Sequence, residues 1–386
     1  MHSHRWAISG LGAVTGYGWG IDRLWKGLSS SEPAAAEHDG YGRNRDEKAW
    51  VSLVPEGGDP ADGPSRFTRA MRGAVREAVS DARERGWQEG RRVGLVHAVV
   101  LDDIESWRDF YVEDGGLRSV RDYLGLLPST SLSLLMKEFG FHGPAMNVGA
   151  MCASGNAGLL TAKSWLDGGV VDDVVFVATD LSAQPEQLLH FGALGVAITD
   201  TPPLQACRPF QEGSRGYVMA EASVSAVLSR NVERPYAHLL GGAMSHDAHH
   251  VTSIAPDLDQ VLRCFREALD NSGVPASQVR YLNAHGPGTR QCDGAEARAA
   301  DELFGPGTGL YSVKPLVGHC QGAASAVEVA AAALGYDAGV VPAPPRVAAG
   351  DARLLDGPQP VRSGLTVKSS IGMGGHNSVV VLAPPQ

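Results

Sequence analysis

Short apolar runs alternate along the chain with segments of helical periodicity. Residues 93–101 and 174–178 form two such runs, both rich in β-branched valine. A strand that is apolar at nearly every position is typical of a sheet covered on both faces. The alternation of these strands with helices therefore predicts an α/β protein in which helices cover the sheets.

The stretch 65–82 has the pattern of an amphipathic helix. Its apolar side chains recur at helical spacing and form one stripe: Phe67, Met71, Ala74, Val75 and Ala78. The opposite face carries four arginines: Arg66, Arg69, Arg72 and Arg76. Such a face is most often simply solvated, and the alternative is a docking surface for an acidic partner.

A glycine run near the start of the chain, Gly10, Gly12 and Gly16, follows an apolar, strand-like segment. Its GxGxxxG spacing departs from the GxGxxG of dinucleotide-binding turns, and the next helical pattern begins several residues later. No helix N-terminus is therefore available to a pyrophosphate. We predict a tight surface turn here and no nucleotide site.

Composition and charge narrow the class of protein. The 386 residues suffice for two or three structural units. The net charge of -10 disfavours a nucleic-acid partner, because phosphate binding depends on clustered positive charge. The sequence contains neither a signal-peptide pattern nor an apolar stretch long enough for a membrane span. The five cysteines show no regular spacing, which predicts a reducing, cytoplasmic setting.

Three motifs far apart in the chain each place one reactive side chain among small residues. Cys152 lies in Gly-Ala-Met-Cys-Ala-Ser-Gly, His285 in Asn-Ala-His-Gly-Pro-Gly-Thr and His319 in Val-Gly-His-Cys-Gln-Gly. A thiol and two imidazoles can supply a nucleophile, a proton carrier and hydrogen-bond donors for developing negative charge. A lone cysteine is more often a small core residue, but this combination favours a Cys-His-His site.

The surroundings of Cys152 and of His319 follow the same order. Each has an extended segment, the reactive residue, a Gly/Ala-rich helix, a glycine and then a valine-rich segment. We interpret this as an internal duplication and divide the chain into residues 1–230 and 231–386. A thiol at the first turn of a helix feels the positive end of the helix dipole, and a neighbouring imidazole acts in the same direction. We therefore expect the pKa of Cys152 to be lowered.

Further motifs resemble those of the β-ketoacyl-acyl carrier protein synthases over essentially the whole chain. They are Arg208-Pro-Phe210, Gly216-Tyr-Val218, Asn283-Ala-His285-Gly, Ser312-Val-Lys314, Gly318-His319 and the terminal Gly372-Met-Gly-Gly-His-Asn377. The resemblance implies a thiolase-like, layered αβαβα fold with two pseudo-duplicated halves. It also implies an acyltransferase that condenses thioesters in fatty acid or polyketide biosynthesis. Its substrates would be carried on the phosphopantetheine of an acyl carrier protein, and no cofactor would be bound permanently.

The resemblance also assigns roles to individual residues. Cys152 is the nucleophile that accepts an acyl group, while His285 and His319 serve decarboxylation of a malonyl-type thioester and the condensation. Neutral imidazoles suit this work because their Nε2–H groups can polarise a thioester carbonyl. The resemblance further implies an oxyanion hole formed by the backbone N–H groups of Cys152 and Met373, and orientation of His319 by Lys314 with Glu328. The residues implied to contact the pantetheine arm are Thr289, Pro287, Arg208 and Gly374. Those implied to dock the carrier protein are Arg66, Arg69 and Arg72.

The chain departs from the family pattern close to these residues. Pro287 stands where a hydroxyl residue contacts the pantetheine arm, and Met373 stands where the family carries a gating Phe. Met151 precedes the nucleophile where Ala or Gly is common, and His376 replaces Thr. A flexible thioether can admit a bulkier acyl group. These changes favour an enzyme of specialised metabolism over a housekeeping elongase.

Two alternatives to a condensing enzyme remain open. One is a ketosynthase-like acyltransferase or cyclase that uses Cys152 without decarboxylative extension, and the other is a non-catalytic chain-length partner subunit. The family's mode of assembly predicts a homodimer, with a heterodimer containing a ketosynthase-like partner as the alternative. No metal site is expected at His246, His249 and His250, because no acidic or sulfur ligand accompanies them in a regular motif.

Overall fold

The computed structural model describes residues 5–113, 115–116 and 119–385. The strands are β1 (Trp6–Thr15), β2 (Gly18–Trp19), β3 (Ala36–Tyr41), β4 (Glu47–Val51), β5 (Val93–Ala98), β6 (Ala145–Val148), β7 (Asp173–Asp180), β8 (Ala222–Ser229), β9 (Ala237–His246), β10 (Val279–Asn283), β11 (Gly309–Tyr311), β12 (Val340–Val341), β13 (Gln359–Pro360), β14 (Leu365–Gly372) and β15 (His376–Ala383). The α-helices are α1 (Ile21–Ser30), α2 (Arg66–Glu84), α3 (Ile104–Arg108), α4 (Val120–Gly125), α5 (Pro128–Phe139), α6 (Ser154–Asp167), α7 (Pro185–Ala193), α8 (Pro203–Ala206), α9 (Asp259–Ser272), α10 (Arg290–Leu303), α11 (Lys314–Val317) and α12 (Ala324–Ala338). None of the helices in this described part of the chain has the length and apolar character needed to cross a membrane.

One 11-stranded sheet carries the duplication expected from the sequence. Its strand order is β11-β10-β14-β15-β9-β1-β8-β7-β5-β6, with β2 paired to β1. The centre is the antiparallel pair of β1 and β9. On one side β8 and β7 follow antiparallel and β5 and β6 parallel, and on the other side β15 and β14 follow antiparallel and β10 and β11 parallel. The division at residues 230 and 231 falls between β8 and β9 and stays our proposal.

Helices form layers on both sides of the sheet and between its halves. The outer helix α2 packs on β1, β8 and β7, and α9 packs on β9 and β15. The two inner helices, α6 and α12, contact each other, and each also touches strands of both halves. Every residue of α12 from 324 to 335 is buried, as expected of a helix enclosed on all sides. The thiolase-like αβαβα architecture is therefore confirmed.

Helix α2 confirms the amphipathic pattern and corrects the prediction for the glycine run. Its apolar stripe faces the core, but Gly10 and Gly12 belong to β1, which is buried along its whole length, whereas Gly16 lies in the turn that follows β1. A Cβ atom at Gly10 would lie 2.3 Å from the carbonyl oxygen of Ala78, and one at Gly12 would lie 2.1 Å from that of Ala74. The glycines allow a helix to lie directly on a strand, and spacing alone does not distinguish this from a turn.

Gly12→Ala is expected to lower the free energy of unfolding by about 3 kcal/mol, because the new Cβ would meet backbone atoms of α2 that cannot rotate away. Gly294→Ala is the matched control. A Cβ at this position in α10 would find nothing within 4 Å, and alanine favours a helix interior. Denaturant unfolding of both variants measures the difference, and equal stabilities would contradict the packing argument.

Candidate active site

The three sequence motifs meet around one cavity of about 280 Å³. Cys152, His285 and His319 all line it. Their residues are 5%, 2% and 1% exposed, so the groups face the cavity and not bulk water. The ring centroids of the two histidines lie 5.3 Å apart, with the ring planes at 80°. The cavity thus presents one thiol and two imidazoles to the same ligand.

Cys152 lies on a tight turn between β6 and α6. Met151, just before it, has a φ of 50°, a left-handed conformation that residues other than glycine seldom adopt. The side chain of Ser154 holds the turn, since its Oγ accepts from the N–H of Ala150 at 2.8 Å and donates to the carbonyl of Met151 at 2.6 Å. The thiol is therefore placed by strand, turn and helix together.

The expected lowering of the Cys152 pKa is wrong for the resting site. Burial raises the pKa of Cys152 to about 11, although Lys314 and the backbone N–H of Met373 act in the opposite direction. Forming the thiolate at pH 7 then costs about 5 kcal/mol. The Cys152 side chain is therefore a neutral thiol at pH 7.

His319 is fixed as one tautomer by the backbone. The N–H of Gln321 donates to its Nδ1 at 3.1 Å, so the proton of the neutral ring is on Nε2. Burial, followed by the charges of Lys314 and Lys368, lowers the pKa of His319 well below its usual value. The ring is therefore a neutral Nε2–H donor.

His285 is held by Lys314, which corrects the expectation that Lys314 orients His319. The ammonium group of Lys314 lies 3.4 Å from Nδ1 of His285 and donates to the His285 carbonyl. Because an ammonium group only donates, Nδ1 accepts and Nε2 carries the proton. Burial, then Lys314 and His319, lowers the pKa of His285 well below its usual value. The carboxylate of Glu296 accepts from the N–H groups of His285 at 2.7 Å and Gly286 at 2.8 Å and so fixes the loop.

Lys314, Glu328 and Lys368 form a buried charge cluster beneath the histidines. Glu328 is paired with Lys314 and, at 2.7 Å, with Lys368. The side chains are 0%, 1% and 0% exposed, respectively, for Lys314, Glu328 and Lys368. Sequence reasoning missed Lys368, although a single lysine in the otherwise uncharged strand β14 was the available signal.

The hairpin between β14 and β15 brings a backbone donor to the Cys152 thiol. The N–H groups of Met373 and of Cys152 itself are both directed at the thiol. The hairpin can come this close because Gly372 has no Cβ, which would lie 2.9 Å from the carbonyl oxygen of Ala150. The role of these two N–H groups as an oxyanion hole stays a prediction.

The residues expected to contact the pantetheine arm do not all line the same cavity. Pro287 and Thr289 line the cavity. Gly374 instead lines a neighbouring cavity of about 480 Å³, which shares Met373 with the first. Arg208 lines neither, because its guanidinium group folds back onto the carbonyl of Gly213. The structure therefore brings two of the four residues into the cavity that Cys152 lines.

The arginine face of α2 is neutralised within the chain. The pairs are Arg66 with Glu221, Glu105 and Glu56, Arg69 with Glu56, and both Arg72 and Arg76 with Asp62 and Glu138. The side chains of Arg66, Arg69 and Arg72 are only 14%, 14% and 15% exposed. The free positive charge on which the carrier-docking prediction depended is thus absent from this face.

Two further residues near Cys152 and His319 were not predicted from the sequence. The ring of Tyr217 lines the cavity and packs edge-on against His319, with centroids 4.6 Å apart. The side-chain oxygen of Gln321 lies 3.9 Å from Sγ of Cys152. Both belong to motifs already singled out, and the polar side chain of Gln321 among small residues was the signal.

Arg66→Ala is expected to lower the free energy of unfolding by about 3 kcal/mol, because Glu221 would remain buried without its partner. Arg83→Ala is the control, since its side chain is 54% exposed and its pair with Glu89 lies at the surface. That change should stay within about 0.5 kcal/mol. Thermal and denaturant unfolding measure the stability of both variants. If the Arg66 variant were as stable as the unmodified protein, Arg66 would not be needed to pair with Glu221, and its side chain would again be a candidate for docking a partner.

Iodoacetamide is expected to modify Cys152 before the other cysteines, at a rate that rises about tenfold per pH unit between about pH 7 and pH 10, because only the thiolate reacts. Cys292 should follow, since it lines the same cavity and its pKa is raised to about 12. Peptide mapping over time measures both rates. A Cys152 rate that does not change with pH would show a thiolate at rest.

Comparison with known proteins shows to which protein family the chain with this site belongs. The chain matches the N-terminal domain of beta-ketoacyl synthase over residues 4–234 and the C-terminal domain over residues 236–347. A 3-oxoacyl-[acyl-carrier-protein] synthase 2 of Staphylococcus aureus is 27% identical over 409 residues, which covers 98% of this chain and 97% of that protein. A beta-ketoacyl synthase named for the oxytetracycline polyketide of Streptomyces rimosus is 28% identical over 421 residues, covering 99% of this chain and 98% of that protein.

Solved structures share the fold over the full length. One is a chain of a type II PKS acyl-carrier protein in complex with its ketosynthase bound to the hexaketide, with a TM-score of 0.88, 23% identity and coverage of 99% of this chain and 100% of that one. Another is a chain of a ketosynthase with its chain length factor from Xenorhabdus doucetiae, with a TM-score of 0.85, 22% identity and full coverage of both chains at 100%. Two matched domains that together span most of the sequence show that the chain belongs to the β-ketoacyl synthase family of condensing enzymes.

Proposed function

We propose that the chain catalyses decarboxylative Claisen condensation, with Cys152 as the acyl-carrying nucleophile and His285 and His319 as donors to the extender thioester. The observation that carries this proposal is the shared orientation of the two imidazoles. Both Nδ1 atoms accept hydrogen bonds from the protein, so both Nε2–H groups are available to a ligand in the cavity with Cys152.

In the first half-reaction an acyl group moves onto the enzyme. The thioester carbonyl carbon bonds to Sγ of Cys152, and its bond to the pantetheine sulfur breaks. The thiol proton of Cys152 ends on the departing pantetheine thiol. The N–H groups of Met373 and Cys152 stabilise the negative charge that develops on the carbonyl oxygen.

In the second half-reaction a malonyl-type thioester loses its carboxylate as carbon dioxide. The bonding electron pair becomes an enolate, whose oxygen receives hydrogen bonds from Nε2–H of His285 and of His319. The enolate carbon then bonds to the acyl carbon and the bond to Sγ breaks. Cys152 regains a proton from water, and the product is a 3-oxoacyl thioester.

The substrates and partners follow from the same proposal. We assign both thioesters to the phosphopantetheine of an acyl carrier protein, without a permanently bound cofactor. The names of the relatives and the solved complex of a ketosynthase with its carrier protein support this. The edge position of β6, which exposes 46% of Met146, supports dimerisation across the sheet, as a homodimer or with a ketosynthase-like partner. Five free cysteines support a reducing cytoplasm.

Met373, Pro287 and Met151 surround the nucleophile in the structure and support a role in specialised metabolism. Met373 and Pro287 line its cavity, and Met151 lines the neighbouring one. The comparisons do not favour a ketosynthase-like acyltransferase or cyclase that works without decarboxylative extension, nor a non-catalytic chain-length partner subunit.

His285→Ala and His319→Ala should each reduce release of carbon dioxide from malonyl carrier protein by about 10²- to 10³-fold, because each removes one donor to the enolate. Both variants should still form an acyl-enzyme at Cys152 at a measurable rate, and Cys152→Ala should form none. Intact-mass analysis measures acylation, and labelled carbon dioxide measures decarboxylation.

His142→Ala, which removes an exposed imidazole between α5 and β6, is the matched control and should leave both rates unchanged. Unmodified protein that is acylated readily but never decarboxylates malonyl carrier protein, across several donors, would overturn the condensation and favour transfer or cyclisation.

A further inference from the structure

Gln321 lies behind the sulfur of Cys152, on the side away from the cavity. Its Oε1 lies 3.9 Å from Sγ of Cys152, within reach of a thiol donor. Cys152 lines the cavity, whereas Gln321 is not one of the described residues that form its lining. Because a carboxamide oxygen only accepts hydrogen bonds, the S–H group is the donor in this contact. The thiol proton therefore points out of the cavity.

Tyr217 holds the other end of the Gln321 carboxamide. Its hydroxyl oxygen is the acceptor that faces the side-chain N–H of Gln321. The ring of Tyr217 is fixed in turn by its edge-on contact with His319, with centroids 4.6 Å apart. With the N–H end at Tyr217, the oxygen end of the carboxamide is directed at Cys152.

The backbone of Gln321 is fixed as well. Its N–H donates to Nδ1 of His319 at 3.1 Å, and the residue opens the 3-10 turn Gln321–Ala323 that leads into α12. Its φ of 43° lies in the left-handed region that favours glycine. A long polar side chain that is 5% exposed is thus held in a strained conformation against the sulfur, as is typical of functional sites.

An acceptor beside a thiol stabilises the neutral form over the thiolate. Burial acts in the same direction and raises the pKa of Cys152 to about 11. Among the groups on other elements that face the thiol, Lys314 and the N–H of Met373 lower this pKa, and Asp180 raises it. The other titratable or charged side chains that line the cavity are those of His285, His319, Tyr217, Cys292 and Arg290.

We infer that Gln321 holds the proton of the resting Cys152 thiol on the far side of the sulfur, and that Tyr217 is a positioning residue that keeps the Gln321 oxygen there. The sulfur lone pairs then point into the cavity, where an electrophilic carbon would approach. The resting thiol is also protected from alkylation and oxidation, because the thiolate is the reactive form. The inference goes beyond the proposed function, since it concerns the free thiol and requires no thioester.

The test measures alkylation of Cys152 by iodoacetamide at about pH 8, followed by peptide mapping. Gln321→Met keeps the length of the side chain and removes the acceptor. Cys152 should then react about fivefold faster, because the neutral thiol has lost one hydrogen bond. Tyr217→Phe removes only the hydroxyl and should change the rate in the same direction. The double variant should react no faster than Gln321→Met alone, because Tyr217 acts through Gln321.

Two controls separate this effect from a general loosening of the site. Tyr41→Phe also removes a buried hydroxyl, which donates to the carbonyl of Ala183 beside a different cavity, and should leave the Cys152 rate unchanged. Cys292 lines the same cavity as Cys152 and should keep its own rate in every variant, whereas a looser cavity would expose both thiols.

An unchanged or lower Cys152 rate in folded Gln321→Met would overturn the inference, and a lower rate would mean that the carboxamide donates to the thiolate. Equal acceleration of Cys292 would overturn it as well. The S–H stretching band of Cys152, isolated by subtracting the spectrum of Cys152→Ser, tests the unmodified protein directly. A band at the position of a free thiol would contradict the contact with Gln321, whether or not the variants fold. None of these measurements depends on condensation, so failure of the proposed function would be seen separately.

Discussion

The buried cluster of Lys314, Glu328 and Lys368 is the constraint on which the site depends. One carboxylate lies between two ammonium groups with almost no exposure, so its surroundings remain electropositive without solvent to screen them. That field disfavours protonation of both histidines, and Lys314 also opposes the effect of burial on the Cys152 thiol. Because the ammonium group of Lys314 lies beside Nδ1 of His285, it determines the tautomer of that ring as well as the electrostatic potential around it. Charge and geometry at the three reactive residues are therefore not independent.

The position of this cluster follows from the contact between the two inner helices. Gly155 in the first turn of α6 meets α12 so closely that a Cβ there would lie 2.4 Å from Oγ of Ser325. That same Oγ accepts from the N–H of Asn156 at 2.9 Å, which joins the start of one helix to the start of the other. Cys152 and His319 each lie just before one of these helices. The duplication thus brings a thiol from one half and an imidazole from the other to the same point, without any long loop between them.

The layered fold and the grouping of Cys152, His285 and His319 around one cavity could be predicted from the sequence, because both depend on local patterns. Valine-rich runs mark covered strands, and Cys152, His285 and His319 each stand among small residues. What escaped prediction depends on distances across the fold. Lys368 contacts Glu328 because the register of β14 in the sheet places it there. Lys314 contacts His285 because the loop that carries His285 lies over it in the fold. The prediction of a lowered pKa for Cys152 was wrong because burial raises this pKa by more than the nearby end of α6 lowers it. The arginines of α2 look solvated in sequence because their carboxylate partners, such as Glu221 and Glu138, come from distant segments.

Helix α12 also limits how this protein can change over evolutionary time. A surface helix can drift on its outer face, whereas every residue from 324 to 335 of α12 is enclosed and most are alanine or another small residue. A larger side chain in α12 would push on the sheet or on α6, the helix that follows Cys152. A change in the size of the cavity is therefore expected at residues outside α12, such as Met373 in the hairpin between β14 and β15.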